Sequence, residues 1–538
     1  MSPLWRYSGE RFSFIATSEM SGFPVMANKK KEHQSASQTE REGFSLALIE
    51  PVMFSLLRKI MAYLQPRKVK AYVVGGFVRD ALLGRETADI DLAVTADALE
   101  IALGMAEALN GTYVLLDSEN KVGRVVLTSR KAEGEQSVID ISTIAGTLED
   151  DLARRDFSIN ALALDLKELV AGKAVASLVD PYKGRDDLDR SIVRSIREEN
   201  LSADPVRLLR AVRLAVELGF RIEQKTKEQI RRSVALLASV PGERIREELL
   251  RLFAISRGGQ FLFDLDELGL LTVLIPELAM TKGVEQPVEH HWDIFAHSVM
   301  TVSAVDYLLH QGMWEYQQDN ILEMVPWSEE CVRHFEKSVA VGSSRRTLLK
   351  LAALLHDIAK PQSKAIDGKG RMRFLGHSEQ GAEMVSHILE RLRFSTREIK
   401  LVADVVKYHL RPTQMGQPPS HHAIYRYFRD TGDAGIDILY LSLADHLATR
   451  GPGLIPANWR KHADVVRHVL EEHYNQEKIT LPPKLVDGND LMNIFGLKPG
   501  PKLGELLEMV REAHATGELT TREEALEYIH NVLTEGKK

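Results

Sequence analysis

Apolar residues between Leu46 and Leu64 recur at helical spacing, so the chain is predicted to open its first folded unit with a helix. Ala71-Tyr72-Val73-Val74 follows as a short β-rich run. Gly75-Gly76 separates it from a helical stretch, Phe77 to Leu83, which Gly84 stops. Asp89-Ile90-Asp91-Leu92-Ala93-Val94 reads as the next strand. After it come a helix from about Ala96 to Leu109 and strands around Tyr113 to Leu116, Arg124 to Leu127 and Val138 to Ile141. This interleaving predicts a small mixed sheet with flanking helices up to about Ile196. After Asp204 the period changes: Leu208, Leu209, Val212, Ala215 and Val216 recur as on a helix, and nothing later alternates like a strand. The rest is expected to be helical, with breaks near Glu285 to Pro287 and near Gly451 to Pro456, and with no internal repeat.

Composition narrows the possibilities. The chain of 538 residues is 44% hydrophobic and 27% charged, enough for several cores. At about 100 to 200 residues per domain, three or four domains are expected. Lysine and arginine number 69 against 76 acidic residues, a net charge of -7, which excludes a polybasic nucleic-acid coat. Residues 151–260 differ, with 21 basic against 17 acidic side chains, a local +4 that leaves -11 elsewhere. A polyanion would be met by such a patch. The single cysteine, Cys331, excludes an intramolecular disulfide and a thiolate cluster, and fits a reducing, cytoplasmic setting. No apolar run approaches the ~18 to 20 residues of a membrane span, and the first residues lack the apolar segment of a signal peptide. Residues 1–45 are polar, carry Lys29-Lys30-Lys31 and read as a disordered leader, with Met26 as an alternative start.

Three constellations in the first half carry chemistry. Asp89 and Asp91 stand at i and i+2 of a strand, so their carboxylates share one face. Like charges that close repel unless a cation joins them, and hard oxygen ligands suit Mg²⁺. Gly75-Gly76 would expose backbone N–H groups at a helix start, where a triphosphate can settle. Next, Arg154-Arg155-Asp156-Phe157-Ser158-Ile159-Asn160-Ala161 pairs two arginines able to hold phosphate or ribose with an aspartate that can accept from a hydroxyl. Third, Arg207, Arg210 and Arg213 at i, i+3 and i+6 predict one positive ridge on a helix, with Asp204 as its N-terminal cap.

The second half has a different signature: His297, then His356-Asp357 inside Leu351 to Lys360, then Asp445 in Leu443-Ala444-Asp445-His446. A His-Asp pair in an apolar helix is costly to bury unless something coordinates it, and imidazole with carboxylate favours Mn, Fe, Ni or Mg. His290, His291, His421 and His422 read as surface or supporting residues.

Taken together, Gly75 to Gly84, Asp89-Ile90-Asp91, Arg154 to Ala161 and Asp204 to Arg213 resemble, in order, the head and neck motifs of the bacterial tRNA nucleotidyltransferase (CCA-adding) and poly(A) polymerase family. The resemblance covers about residues 70–260. It implies that Asp89 and Asp91 hold two catalytic Mg²⁺. It further implies that Gly75, Gly76, Arg79, Arg154, Arg155, Asp156, Asn160, Arg210 and Arg213 bind the nucleotide, while Asp204 and Arg207 read the base edge. Asp140, at a strand end, is a candidate third carboxylate. One departure stands out: Ala203 occupies a position where the family motif usually carries Glu, which bears on whether C, A or both are added. Residues 287–450 resemble an HD-type metal phosphohydrolase domain through His297, His356-Asp357 and Asp445. His377 and His409 fall where such domains can hold a second metal. The segments Asp487 to Leu491 and Gly500 to Gly504 resemble the helical tail of longer family members.

The implied architecture is α+β: a small mixed-sheet nucleotidyltransferase head followed by an all-helical neck, HD domain and tail. The expected boundaries are a leader over 1–45, head 46–200, neck 201–284, HD domain 285–452 and RNA-binding tail 453–538. The implied function is template-independent addition of CCA to the tRNA 3′ end from CTP and ATP. Alternatives are a member adding only C, only A or poly(A), or an HD phosphohydrolase whose head only binds RNA. The expected partners are a tRNA 3′ end, CTP and ATP, with no membrane. The expected cofactors are Mg²⁺ in the head and Mn, Ni, Fe or Mg²⁺ in the HD site.

Overall fold

The computed structural model describes residues 43–535 apart from 87–88, 129–135, 172–174, 257–258, 319, 479–484 and 516. Most of the expected leader lies outside the described residues. Its last three residues do not: β1 (Gly43–Ser45) pairs antiparallel with Val175, Ala176 and Ser177, and Phe44 is fully buried. The first helix, α1 (Pro51–Leu64), starts later than expected, at a proline that fixes φ for the first turn.

The head then follows the expected order: β2 (Ala71–Val74), α2 (Gly76–Leu82), β3 (Asp89–Val94), α3 (Ala98–Leu109), β4 (Thr112–Asp117), β5 (Val122–Thr128), β6 (Gln136–Thr143) and α4 (Leu148–Ala153). Two further strands, β7 (Ala163–Asp165) and β8 (Val175–Val179), complete one eight-stranded mixed sheet in the order β1-β8-β7-β2-β3-β6-β5-β4. β7 is three residues long, too short to show its period in sequence. β3 and β6 run parallel in the middle of the sheet, and the connection between them contains α3.

Past Asp204 the chain is helical, with small exceptions. Arg221–Ile222 pairs with Ile192–Val193, and short two-stranded ribbons form at 338–344 and 364–374. These pieces are two or three residues each, below the length at which alternation is legible. The helices that position functional groups are α5 (Arg207–Leu218), α6 (Gly242–Ala254), α7 (Ile294–Leu308), α8 (Arg345–Leu355), α9 (His377–Arg391), α10 (Thr396–Tyr408), α11 (His421–Thr431) and α12 (Gly435–Arg450).

One continuous apolar core runs from Phe44 to Leu470, and a second gathers Val486, Leu491, Leu506, Val510 and Ile529. The helix α13 (Pro456–Lys478), expected in the tail, belongs to the first core, because Trp459, Ala463, Val466 and Val469 are fully buried against it. The change from the first apolar core to the second falls between 470 and 486.

Candidate functional site

β2 ends at Val74, and Gly75 turns the chain into α2 with φ of 70°. A Cβ at Gly75 would lie 2.8 Å from Asp91 Oδ2 and 3.0 Å from Arg155 Nη1, so both the dihedral and the space require glycine. The Gly76 N–H donates to Asp91 Oδ2 at 3.3 Å. In the parallel β3–β6 ladder Asp91 stands opposite Asp140, which puts Asp89, Asp91 and Asp140 on one face of the sheet. β5 sets Arg124 opposite Asp140, and its guanidinium donates to both carboxylate oxygens at 2.7 and 2.8 Å. Burial pushes the Asp89 carboxyl up, and the Asp140 charge adds to it. Burial also raises Asp91, opposed by Arg155 and reinforced by Asp140. A divalent cation would relieve such a group, so the donor set fits Mg²⁺ held by Asp89 and Asp91.

α4 opens with a capping box between Thr147 and Asp150 and delivers the paired arginines to this face. Arg155 lies over Gly75 and reaches Asp151 at 3.3 Å, while Arg154 turns outward to the Ala145 carbonyl at 3.1 Å. Arg79 is buried: Nη1 donates to Asn160 Oδ1 at 2.7 Å, and Nη2 to Asp80 at 2.7 Å. Asp156, expected to accept from a hydroxyl, is instead an internal hub. Its Oδ1 accepts from the Phe157 N–H at 2.8 Å and from Asn160 Nδ2 at 3.1 Å, and Arg210 Nε lies 3.0 Å from Oδ2. Burial pushes its carboxyl up, but Arg210 and Arg207 outweigh that and hold it below the usual range.

The arginine ridge divides. Six residues turn a helix so that Arg213 stands about 120° from Arg207. Arg213 is buried against Glu248 at 2.7 Å and Glu217 at 2.9 Å, so it braces the neck rather than facing the carboxylates. Arg207 Nη1 donates to the carbonyls of Arg154 at 2.9 Å and Asn200 at 3.2 Å, tying the neck helix to the head. Asp204 does not cap α5 with its side chain. Val206 is the cap residue, and Asp204 gives the Arg207 N–H only its backbone carbonyl at 3.0 Å. Its carboxylate is taken by Arg244 at 2.9 and 3.0 Å.

In the helical half, α7 supplies His297, the C-terminal end of α8 supplies His356 and Asp357, the start of α9 supplies His377, the end of α10 supplies His409, and α12 supplies Asp445. His297 Nε2 lies 3.1 Å from Asp445 and 3.5 Å from Asp357 Oδ2, and His356 Nε2 lies 3.2 Å from Asp357 Oδ2. On the other side of the same carboxylate, Asp357 Oδ1 is 3.5 Å from His377 Nε2 and 3.9 Å from His409 Nε2. His356, His377 and His409 each turn Nδ1 to a backbone carbonyl, at 2.8, 2.6 and 2.6 Å, which leaves every Nε2 facing inward. Both Asp357 oxygens are buried without a well-directed hydrogen bond. The residues fall into two groups of metal-binding geometry that share Asp357: His297, His356 and Asp357, and Asp357, His377 and His409. Burial takes His409 down to about 4, keeping it the neutral imidazole a metal requires. The chemistry of these imidazole and carboxylate donors fits divalent metal ions, which either group would hold through its histidine Nε2 atoms and Asp357.

The remaining histidines have other tasks. The His290 ring packs edge-on against His297, His421 Nδ1 lies 3.1 Å from Glu472, and His422 binds two glutamates of the C-terminal segment. His291 is exposed. Three site residues escaped the sequence reading. Arg124 and Arg244 gave no local signal, since their partners are set by sheet register and by helix packing. Lys360 did, standing three residues after Asp357, and its Nζ lies 2.6 Å from Oδ2.

Comparison with known families matches a poly(A) polymerase head domain over residues 71–194, an RNA and SrmB-binding region of polymerase A over 219–281, an HD domain over 322–450 and a tRNA nucleotidyltransferase domain 2 over 453–529. Among characterised relatives, the chain is 35% identical to the CC-adding tRNA nucleotidyltransferase of Thermus thermophilus, over 85% of this chain and 93% of that one. It is 34% identical to the A-adding tRNA nucleotidyltransferase of Deinococcus radiodurans, over 87% of this chain and 96% of that one. Among solved structures, a Thermotoga maritima CCA-adding enzyme complexed with tRNA shares the fold at 22% identity, with a TM-score of 0.56 over 91% of this chain and 99% of that one.

Proposed function

The chain belongs to the tRNA nucleotidyltransferase family that includes the CC-adding and A-adding enzymes, and from that membership we propose that it completes the 3′-terminal CCA of tRNA from CTP and ATP. It is an RNA nucleotidyltransferase acting on tRNA 3′ ends. The observation that carries the finer reading is the face formed by Asp89, Asp91 and Asp140, beside a glycine turn over which Arg155 lies. In this reading the terminal 3′-oxygen attacks the α-phosphorus, the bond from the α-phosphorus to the pyrophosphate oxygen breaks with pyrophosphate leaving, and the hydroxyl proton passes to water. Bound Mg²⁺ would supply a lowered hydroxyl pKa and neutralisation of the leaving pyrophosphate. Asp89 and Asp91 would hold it. The Gly75 and Gly76 N–H groups are taken by the Leu162 carbonyl and Asp91 Oδ2, contrary to the exposed donors expected from the sequence, so Arg155 receives the phosphate oxygens beside the turn, while Arg79 and Asp156 fix Asn160. Asp204 as acceptor and Arg207 as donor match the Watson–Crick edge of C or A.

A specific observation favours partial addition as the second reading. Four relatives matched over 85% or more of this chain are CC-adding or A-adding enzymes, a further CC-adding relative aligns over 41% of it, and a multifunctional CCA protein of Legionella pneumophila, 30% identical, aligns over 64%. Purified protein with tRNA ending at the discriminator base, at C or at CC, and one labelled nucleotide at a time, separates the readings. Growth through CCA supports the first, arrest after CC or action only on CC ends supports the second, and no incorporation on any end overturns both.

For the HD centre we propose a metal-dependent phosphohydrolase. Asp357 and the inward Nε2 atoms would hold two divalent cations, and such cations supply a nucleophilic hydroxide at neutral pH. Hydrolysis of cyclic or 2′-phosphates with Mn²⁺ or Ni²⁺, lost in His356→Ala, tests it.

A further inference from the structure

Arg244 occupies the first turn of α6, where the helix dipole favours an anion rather than a cation. A guanidinium there needs a compensating partner, and it has one. Both Nη atoms donate to Asp204, one to each carboxylate oxygen, at 2.9 and 3.0 Å. This two-pronged geometry fixes the plane of the carboxylate, which a point charge could not do. Arg207, the other member of the pair, reaches Asp204 only at 3.6 Å, because its Nη1 is committed to the carbonyls of Arg154 and Asn200. Position 203 contributes nothing to the orientation, being an exposed alanine.

Asp204 keeps 28% of its side-chain surface and Arg244 half, so the pair lies at an accessible surface rather than in the core. A carboxylate has about four acceptor directions, and Arg244 uses one on each oxygen. The remaining directions stay open toward a base.

We propose that Arg244 is a positioning residue for nucleotide selection: it sets the angle at which Asp204 presents its acceptor to the incoming base. This inference rests on the base-reading role given above to Asp204 and Arg207. Without the clamp, Asp204 swings among rotamers and accepts from a wider set of base edges. Selectivity then falls before the chemical step slows.

The test is single-nucleotide incorporation of CTP, ATP, UTP and GTP onto truncated tRNA by the full-length protein, resolved into kcat and KM. Arg244→Ala is expected to raise KM for the preferred nucleotide about tenfold, the scale of one charge-assisted contact, with kcat within about twofold. The ratio of preferred to disfavoured incorporation should fall by a similar factor. Arg244→Lys keeps the charge without the fork and should recover only part of that ratio. Arg244→Gln is carried alongside, so that misfolding of one variant does not decide the outcome. An unchanged ratio in Arg244→Ala, with all four nucleotides slowed alike, would assign Arg244 to the RNA backbone and overturn the proposal. Asp204→Ala separates the two levels: if it leaves the ratio untouched, the base-reading role itself fails, and if it shifts the ratio while Arg244→Ala does not, only the positioning role fails.

Discussion

Asp91 and Asp156 are both buried aspartates of the head, and their surroundings push them in opposite directions. Asp91 is raised by burial, so the folded state holds its proton more tightly than the unfolded chain does. The ionised carboxylate therefore costs stability, increasingly as pH rises through the unfolded value of 3.8 and fully above the folded one. Asp91→Asn should abolish nucleotide addition while unfolding no earlier in urea than wild type at pH 7 in metal-free buffer, with the difference between the two shrinking toward pH 4. Retention of more than a few per cent of the wild-type rate would remove Asp91 from the metal site. Asp156 is held down by Arg210 and Arg207 despite its burial, so its charge stabilises the fold. Asp156→Ala should lower unfolding free energy by about 3 kcal/mol, the low end for breaking a buried pair because Arg210 stays partly solvated. Urea titration followed by circular dichroism measures it, and a loss below about 1 kcal/mol would contradict the hub role, being no more than one ordinary hydrogen bond.

At the scale of elements, α11 holds the C-terminal segment through charges. His422 lies 2.9 Å from Glu512 and 2.7 Å from Glu518, Arg426 lies 2.6 Å from Glu512, and the Tyr425 hydroxyl donates to Glu508 at 3.3 Å. The bonds to Glu518 and Glu512 raise the His422 pKa above 6.5. A raised histidine contributes its stabilisation fully below the unfolded pKa and loses it as pH rises through the folded one. The segment should therefore dock more tightly at pH 6 than at pH 8.5. Release of the C-terminal segment by limited proteolysis should accelerate on raising the pH, and His422→Ala should flatten that dependence. Equal cleavage rates at the two pH values in wild type would show that the apolar contacts suffice.

For the whole molecule, the sheet face and the histidine centre are built by different elements, 71–244 for one and 297–445 for the other. Loss of one site should leave the other working. Asp357→Ala should eliminate any metal-dependent phosphohydrolase activity and leave CTP incorporation within about twofold. Proportional loss of both would contradict independence. Ligand linkage gives a second readout: Mn²⁺ at 100 times its dissociation constant should stabilise wild type by about 2.7 kcal/mol, and Asp357→Ala by far less. Among the described residues no helix is long and apolar enough to cross a membrane.

The sequence by itself determined the groups whose spacing is local. Asp89 and Asp91 share a face because strands alternate, Gly75-Gly76 turns because only glycine fits, and His356-Asp357 stood out because a His-Asp pair is costly to place in an apolar helix. The mixed sheet and the helical second half were legible for the same reason, since period is a property of neighbours. Tertiary structure alone decided what depends on register and packing. Strand β6 set Asp140 against Asp91, and β5 set Arg124 against Asp140. Helix α6 gave Asp204 to Arg244 instead of to its own helix end, and the drift of the helical repeat sent Arg213 into the neck. Asp357 became common to both histidine groups because α9 and α10 brought His377 and His409 to its second oxygen. No window of sequence contains those contacts, because each joins residues held together only by the burial of the core between them.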